Sequence, residues 1–251
     1  MKNLFRLTML FAMLFGLSAC GSRETWDYVV MGVHIRSKVS YTGDQYATAL
    51  REDNNVEVIV HEQERWEPRE IHEHLRADDE LRLAIQDAEV IIFDFAFDWL
   101  DDASRLYLDG NCGGDDGQEC LRESVQIARD DWVGIMDQLI EIRAGTPVIL
   151  RVVIHGDWFY NWYNWDRYWG ATSPEEKQTL NNYYLEGQSF VQEDAARRGV
   201  VIVRAFPEPY FNEGNPPREY LLSNGIHLSE QDSQVIVEEM RKPGYEFAVL
   251  K

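Results

Sequence analysis

The sequence predicts one doubly wound α/β domain, a parallel sheet of about five strands with helices on both faces. Three observations predict it. Strand-like runs alternate with helix-length segments from residue 28 to residue 245. Most strand runs are apolar at every position, as strands buried on two faces must be. The length, 251 residues at 45% hydrophobic composition, suffices for one full core and rules out wholesale disorder.

Taken in order, residues 28–31 are a hydrophobic run ending at Gly32 and make the first strand. Residues 44–53 have helical spacing, and residues 56–60 make the second strand. Residues 67–87 carry Ile71, Leu75, Leu81 and Ile85 on a helical period behind Pro68, which predicts one helix. Residues 90–95 form a third, almost wholly apolar strand. Residues 121–142 predict a long helix with Val125, Trp132, Ile135, Met136 and Leu139 facing inward. A strand over 147–154, a helix over 179–198, a strand over 200–203 and a helix over 229–241 complete the pattern. Ligands of such a flavodoxin-like sheet bind at the carboxyl ends of its strands. Those ends fall near Gly32, His61, residues 95–98, His155 and Arg204.

Forty-four acidic side chains against 24 basic ones give a net charge of -20. That argues against nucleic acid as a partner, and against docking on anionic lipid through protein charge, because both need clustered Lys and Arg. The first twenty residues read as an address. Lys2 and Arg6 precede a short apolar run, and Leu17-Ser18-Ala19-Cys20 resembles the lipobox of bacterial lipoproteins. The resemblance implies a signal peptide over residues 1–19, lipidation of Cys20, a tether over 20–26 and a domain over 27–251. The protein would then be extracytoplasmic and lipid-anchored to a bacterial membrane. An ordinary secretory signal with a chance cysteine is the alternative.

Export leaves Cys112 and Cys120, which flank a Gly-rich loop able to bend back on itself. A local disulfide is expected in an oxidising compartment. Two thiols without a nearby His pair make a weak metal site. Asp109, Asn111, Asp115 and Asp116 invite calcium, but their spacing does not fit an EF-hand, whose fifth position would be Gly113.

Gly32 directly after the first strand, Phe95-Ala96-Phe97-Asp98-Trp99 closing the third, and Asn224-Gly225-Ile226-His227 before the last helix together resemble the SGNH (GDSL-like) hydrolases. The resemblance covers nearly the whole mature chain and rests on order and spacing rather than any single motif. It implies an esterase, lipase, thioesterase or carbohydrate-deacetylase ancestry. The family's serine follows the first strand in Gly-Asp-Ser, a glycine after the second strand and an asparagine after the third help form an oxyanion hole, and Asp-x-x-His supplies the base. In this chain the strand-side alignment puts Val33 at the Asp and His34 at the Ser, whereas counting back from Tyr46 can put Ser37 there. No glycine lies between Gly43 and Gly110, Asp98 stands at the Asn position, and Asn224 replaces the Asp while His227 remains.

These departures weigh against ordinary acyl transfer. Asn224 cannot stabilise an imidazolium, a change that costs about 10⁴ in serine proteases. Asp98 puts an acceptor where an oxyanion needs a donor, and losing one such donor costs roughly 10²–10³. The candidate catalytic set is therefore Ser37, His227 and Asn224, with Gly32, His34 and Asp98 as altered motif positions. His34 could pair with Asp98, and His34, His61, His155 and His227 with Asp98 could form a zinc cluster, though a surviving polar contact is the plainer reading. His72 and His74 lie two apart, on different sides of a helix, and read as solvated. Residues 158–169 hold eight aromatics, Trp158, Trp162, Trp165 and Trp169 among them. These rings could bind a sugar face or an acyl chain, or pack as a lid on the sheet edge. Three functions follow: a binding or accessory protein for a glycan or acylated ligand, an altered esterase using Ser37 and His227, or a partner-binding lipoprotein. No cofactor and no resident metal are assigned.

Overall fold

A computed structural model describes residues 23–32, 42–64, 66–95, 97–154, 173–205 and 230–251. The elements are β1 (Thr25–Gly32), α1 (Thr42–Asn54), β2 (Glu57–Glu64), α2 (Pro68–Ala77), α3 (Asp79–Asp87) and β3 (Val90–Phe95). A 3₁₀ turn (Phe97–Leu100) leads into α4 (Asp101–Leu108), then α5 (Glu119–Arg143), β4 (Ile149–Ile154), α6 (Pro174–Arg198), β5 (Val201–Arg204) and α7 (Glu230–Arg241). All four strand pairs are parallel, and the order is β2-β1-β3-β4-β5. The chain therefore reverses its direction of growth between β1 and β3, which is where a doubly wound sheet opens a crevice.

Every residue of β3 and β4 is buried, which explains why all of them but Asp94 and Arg151 are apolar. Tyr28, Val30, Val90 and Ile92 pack with Tyr46 and Leu50 of α1 and Ile236 and Met240 of α7. Val29, Met31, Ile91 and Phe93 face the other way, against Ile71 of α2, Ile85 of α3, Trp132 of α5 and Val191 of α6. Trp132 is fully buried and meets Phe95 edge-on at 5.5 Å. Its Nε1 donates to Asp194 Oδ2 at 2.8 Å, and Asp194 also accepts from Arg197 and Arg198 at 2.8 and 2.7 Å, so one buried carboxylate ties α5 to α6.

The single helix expected over 67–87 is two. Asp78 ends α2 and caps α3, its carboxylate accepting from the amides of Glu80 and Leu81 at 3.0 and 3.1 Å. Arg82 then donates to the Leu75 carbonyl at 2.6 Å, satisfying an acceptor freed by the break. The α4 helix was not expected. Its cap, Leu100, makes no side-chain capping bond, so no start signal precedes it. The α6 helix begins at Pro174, earlier than expected, on a capping box in which the Glu176 amide donates to Ser173 Oγ at 3.2 Å.

Two buried arginines hold backbone rather than carboxylates. Arg143 Nη1 donates to the carbonyls of Ile85, Gln86 and Ala88 at 2.8, 2.7 and 2.7 Å, and Nη2 to Pro147 at 2.7 Å. It thereby closes the end of α3 while Ala144 turns left-handed at the end of α5. Arg151, within β4, reaches the carbonyl of Gly244 at 2.6 Å. Beside it the Tyr46 hydroxyl is buried, and burial pushes its pKa up to about 12, partly offset by the neighbouring Arg151 guanidinium. Nearby, Arg241 forks onto Asp53 at 2.7 and 2.8 Å and Tyr245 donates to the same carboxylate, joining α1 to α7. The Tyr245 hydroxyl, then Arg241, hold Asp53 below the usual carboxylate range, outweighing an upward push from burial.

Candidate functional site

The carboxyl ends of β1 and β3 adjoin at the switch point, since Met31 pairs with Phe93. Gly32, the last residue of β1, adopts φ +123°, a conformation that L side chains rarely take. A methyl group there would lie 1.5 Å from Asp94 Oδ1 and 2.6 Å from its Cγ. The glycine is thus required twice, by its backbone and by the carboxylate lying against it. Asp94 is 1% exposed. When ionised it offers acceptor oxygens and no donor. Sequence reading counted Asp94 as one more residue of an apolar strand and missed it. The available signal was a lone acid at the penultimate position of a strand that is otherwise Val-Ile-Ile-Phe-Phe.

Beyond β3 the chain is pinned from two helices. Gln188 of α6, 3% exposed, donates to the Phe95 carbonyl at 3.4 Å. Ser124 of α5 donates to the Trp99 carbonyl. The Trp99 ring stacks on Tyr184 at 6.2 Å and 11° between planes, and it occupies the space left by Gly187. A methyl at Gly187 would come within 2.7 Å of the indole, so that helical glycine serves close approach. The 3₁₀ turn that carries Asp98 is therefore fixed at both ends, although the Asp98 side chain lies outside the described residues.

Of the residues expected at the site, Gly32 stands at the strand end as read. Ser37, His34, Asn224 and His227 lie outside the described residues, as do His155, Cys20 and the segment with Trp158, Trp162, Trp165 and Trp169. His61 does not sit at a strand end, because β2 runs on to Glu64. Its Nε2 lies 2.7 Å from Asp27 Oδ1, near the start of β1, which takes it away from the imagined cluster. His72 and His74 are not simply solvated. His72 packs against Gly134 of α5 and its Nδ1 lies 3.1 Å from Asp131 Oδ1, while His74 stacks on Trp66 at 3.8 Å.

Cys112 and Cys120 form the expected disulfide, with Cα atoms 4.9 Å apart. Gly113, Gly114 and Gly117 take positive φ in the loop it closes. The calcium alternative finds Asp116 already engaged, accepting from both Nη atoms of Arg122 at 2.8 and 3.1 Å. That contact, foremost, holds the exposed Asp116 carboxyl below its usual range. Among the described residues no group of three or more His, Cys, Asp or Glu could hold a metal ion, and no helix is long and apolar enough to cross a membrane.

No protein-family model and no curated protein sequence matches the chain. Solved structures do. A lipase, Lip_vut3, from a goat rumen metagenome gives a TM-score of 0.62 at 15% identity, over 88% of this chain and 98% of its own. A gut microbial diltiazem-metabolizing enzyme gives 0.54 at 16%, over 88% of this chain and 47% of that one. An extracellular lipase from Streptomyces rimosus gives 0.51 at 12%, over 85% and 98%. The chain has an SGNH/GDSL-like hydrolase fold. At these identities the likeness is one of fold, and chemistry has to be argued from the site. The resemblance read from the sequence implies a nucleophile and oxyanion donors at the crevice between β1 and β3. Here the described part of that crevice holds a glycine backbone lying on a buried carboxylate.

Proposed function

We propose that this protein is a lipid-anchored extracytoplasmic SGNH-hydrolase-like protein that binds a glycan or acylated ligand without ordinary serine-esterase chemistry. The observation that carries the reading is the combined change at the motif positions: His34 for the serine, no second-block glycine, Asp98 for the asparagine and Asn224 for the aspartate. Ester hydrolysis builds negative charge on an oxygen and needs donors aimed at it. Asp98 offers a carboxylate in place of an asparagine's amide donor, and Asp94 lies buried against Gly32. The aromatic run at 158–169 supplies rings suited to sugar faces or acyl chains. The Cys112–Cys120 disulfide fits an oxidising compartment outside the cytoplasm, and the segment ending at Cys20 fits a lipid anchor.

Two measurements test it. Purified protein assayed with p-nitrophenyl acetate and butyrate is expected to turn over no faster than its Ser37→Ala variant. Turnover abolished by an organophosphonate would overturn the binding reading. In cells, Cys20→Ala is expected to leave the membrane fraction, and retention there would remove the anchor from the proposal. A second reading, an altered esterase with Ser37 as nucleophile and His227 as base, is favoured by the lipase-like fold at TM-score 0.62. It requires that Ser37→Ala and His227→Ala each abolish activity and that a phosphonate probe label Ser37.

A further inference from the structure

A cleft of about 260 Å³ opens between the start of α2, α4 and α5, with Trp99 in its wall. Its composition is lopsided in two ways. Leu106 of α4 and Ile127 of α5 border it, and both are among the large apolar residues left exposed, at 45% and 39%. Asp102 and Glu123 border it too, and neither has a hydrogen-bond or ion-pair partner among the described residues. The cation in the lining, Arg69, faces Asp131 at 4.0 Å, and Asp131 also engages His72 at 3.1 Å. Two carboxylates thus stand uncompensated beside solvent-facing apolar side chains.

Helical spacing puts these groups together. Asp102 and Leu106 lie four apart on α4, and Glu123 and Ile127 four apart on α5, so each helix presents one acid and one aliphatic to the same gap. Ala103, Leu106, Ile127 and the Trp99 ring supply the apolar part of the lining, and the Trp99 Nε1 is buried without a hydrogen-bond partner. The volume lies just under the range of ordinary ligand pockets, about 300–1,000 Å³, and suits one ring or a short alkyl chain with a compact head group. A neutral apolar ligand would leave both carboxylates beside it unused, and an anion would be repelled.

We infer that this cleft binds a small organic cation, an ammonium group on a single aromatic ring or short alkyl body, with the head between Asp102 and Glu123 and the body on Leu106 and Ile127. The inference does not depend on whether the mouth of the sheet hydrolyses anything. Calorimetry of the purified full chain with benzyltrimethylammonium, benzyl alcohol and benzoate separates the classes. The expected result is saturable binding of the ammonium at about millimolar Kd, weaker binding of the alcohol and none of benzoate. Affinity should fall in high salt, because exposed charges are screened. Asp102→Asn combined with Glu123→Gln should weaken the ammonium by about three- to tenfold, from two charges acting across a solvent-exposed gap. Leu106→Ser combined with Ile127→Ser should abolish binding. All four side chains border solvent, so thermal melts of both variants should match the parent. Benzoate binding as well as the ammonium, an unchanged affinity in the Asp102/Glu123 variant, or no heat with the ammonium would each overturn the inference. Ester-hydrolysis assays on the same sample keep the outcome separate from that of the proposed function.

Discussion

Replacing Gly32 with alanine tests the geometry at the mouth of the sheet most directly. The added methyl meets Asp94 Oδ1 at 1.5 Å, far inside contact distance, and Asp94 is 1% exposed with little room to retreat. Two costs arise. Holding a non-glycine residue at φ +123° costs about 1–3 kcal/mol. Forcing an atom into a packed interior costs about 1–3 kcal/mol more. Together they predict a loss of about 2–6 kcal/mol, or a Tm lower by roughly 5–20 °C in a chain of this size. The two parts separate in a cycle with Asp94→Ala. With the carboxylate gone only a 3.1 Å approach to the Asp94 amide nitrogen remains, so Gly32→Ala should then cost little beyond its backbone share, and the coupling should be about 1–3 kcal/mol. Urea denaturation of the four proteins measures it. If Gly32→Ala cost the same with and without Asp94, the contact would not set the glycine, and the description of the crevice would be wrong.

Three other outcomes follow from the packing. Arg143→Ala strips donors from four buried or half-buried carbonyls and should destabilise by about 3 kcal/mol or more, with Arg143→Lys recovering only part, as read by chemical denaturation. Reducing the Cys112–Cys120 bond opens a loop with a sequence separation of 8 and should cost about 2.5 kcal/mol on chain-entropy grounds, seen as a lower Tm with reductant. Tyr46 should make stability alkali-sensitive. Its folded pKa of about 12 lies above the unfolded value of 10.0, so the folded state keeps a proton that the unfolded state loses. That stability is complete below pH 10 and is lost as pH rises through 12, by about 2–3 kcal/mol in all. Tyr46→Phe should flatten the slope of a denaturation series between pH 9 and 11.5.

Legibility followed burial. Strands β3 and β4 carry apolar residues on both faces, so their runs stand out, and the expected bounds of β3 coincide with the observed ones. The break at Asp78 was hidden because Ile71, Leu75, Leu81 and Ile85 keep one apolar face across it, and all four are buried. Only the capping carboxylate distinguishes two helices from one. The start of α6 was legible in Ser173-Pro174-Glu175-Glu176, a box followed by polar residues that masked the apolar period. Arg151 and Arg143 gave no signal. A buried arginine that bonds to carbonyls needs no acid partner in the sequence, so no spacing rule can find it. Asp94 escaped for a related reason, since its contact is the absent side chain of Gly32, a relation between two strands that one strand cannot display.

The same relation separates fold from chemistry. A doubly wound sheet places a crevice between β1 and β3 whatever residues stand there, because strand order alone creates it. Acyl transfer asks more of that crevice: a hydroxyl, a base and donors fixed around a developing oxyanion. Gly32 meets the backbone requirement, since only a residue without Cβ can end β1 against Asp94. Yet the group that enforces this glycine is itself an acceptor, and the position after β3 that should donate is Asp98 in the sequence. By the sequence alignment, an anionic transition state would form in a protein of net charge -20 with Asp98 at the position of a donor. A positively charged or hydroxyl-rich ligand meets no such opposition, and that contrast is the physical basis of the proposal that the protein retains a ligand instead of turning over an ester.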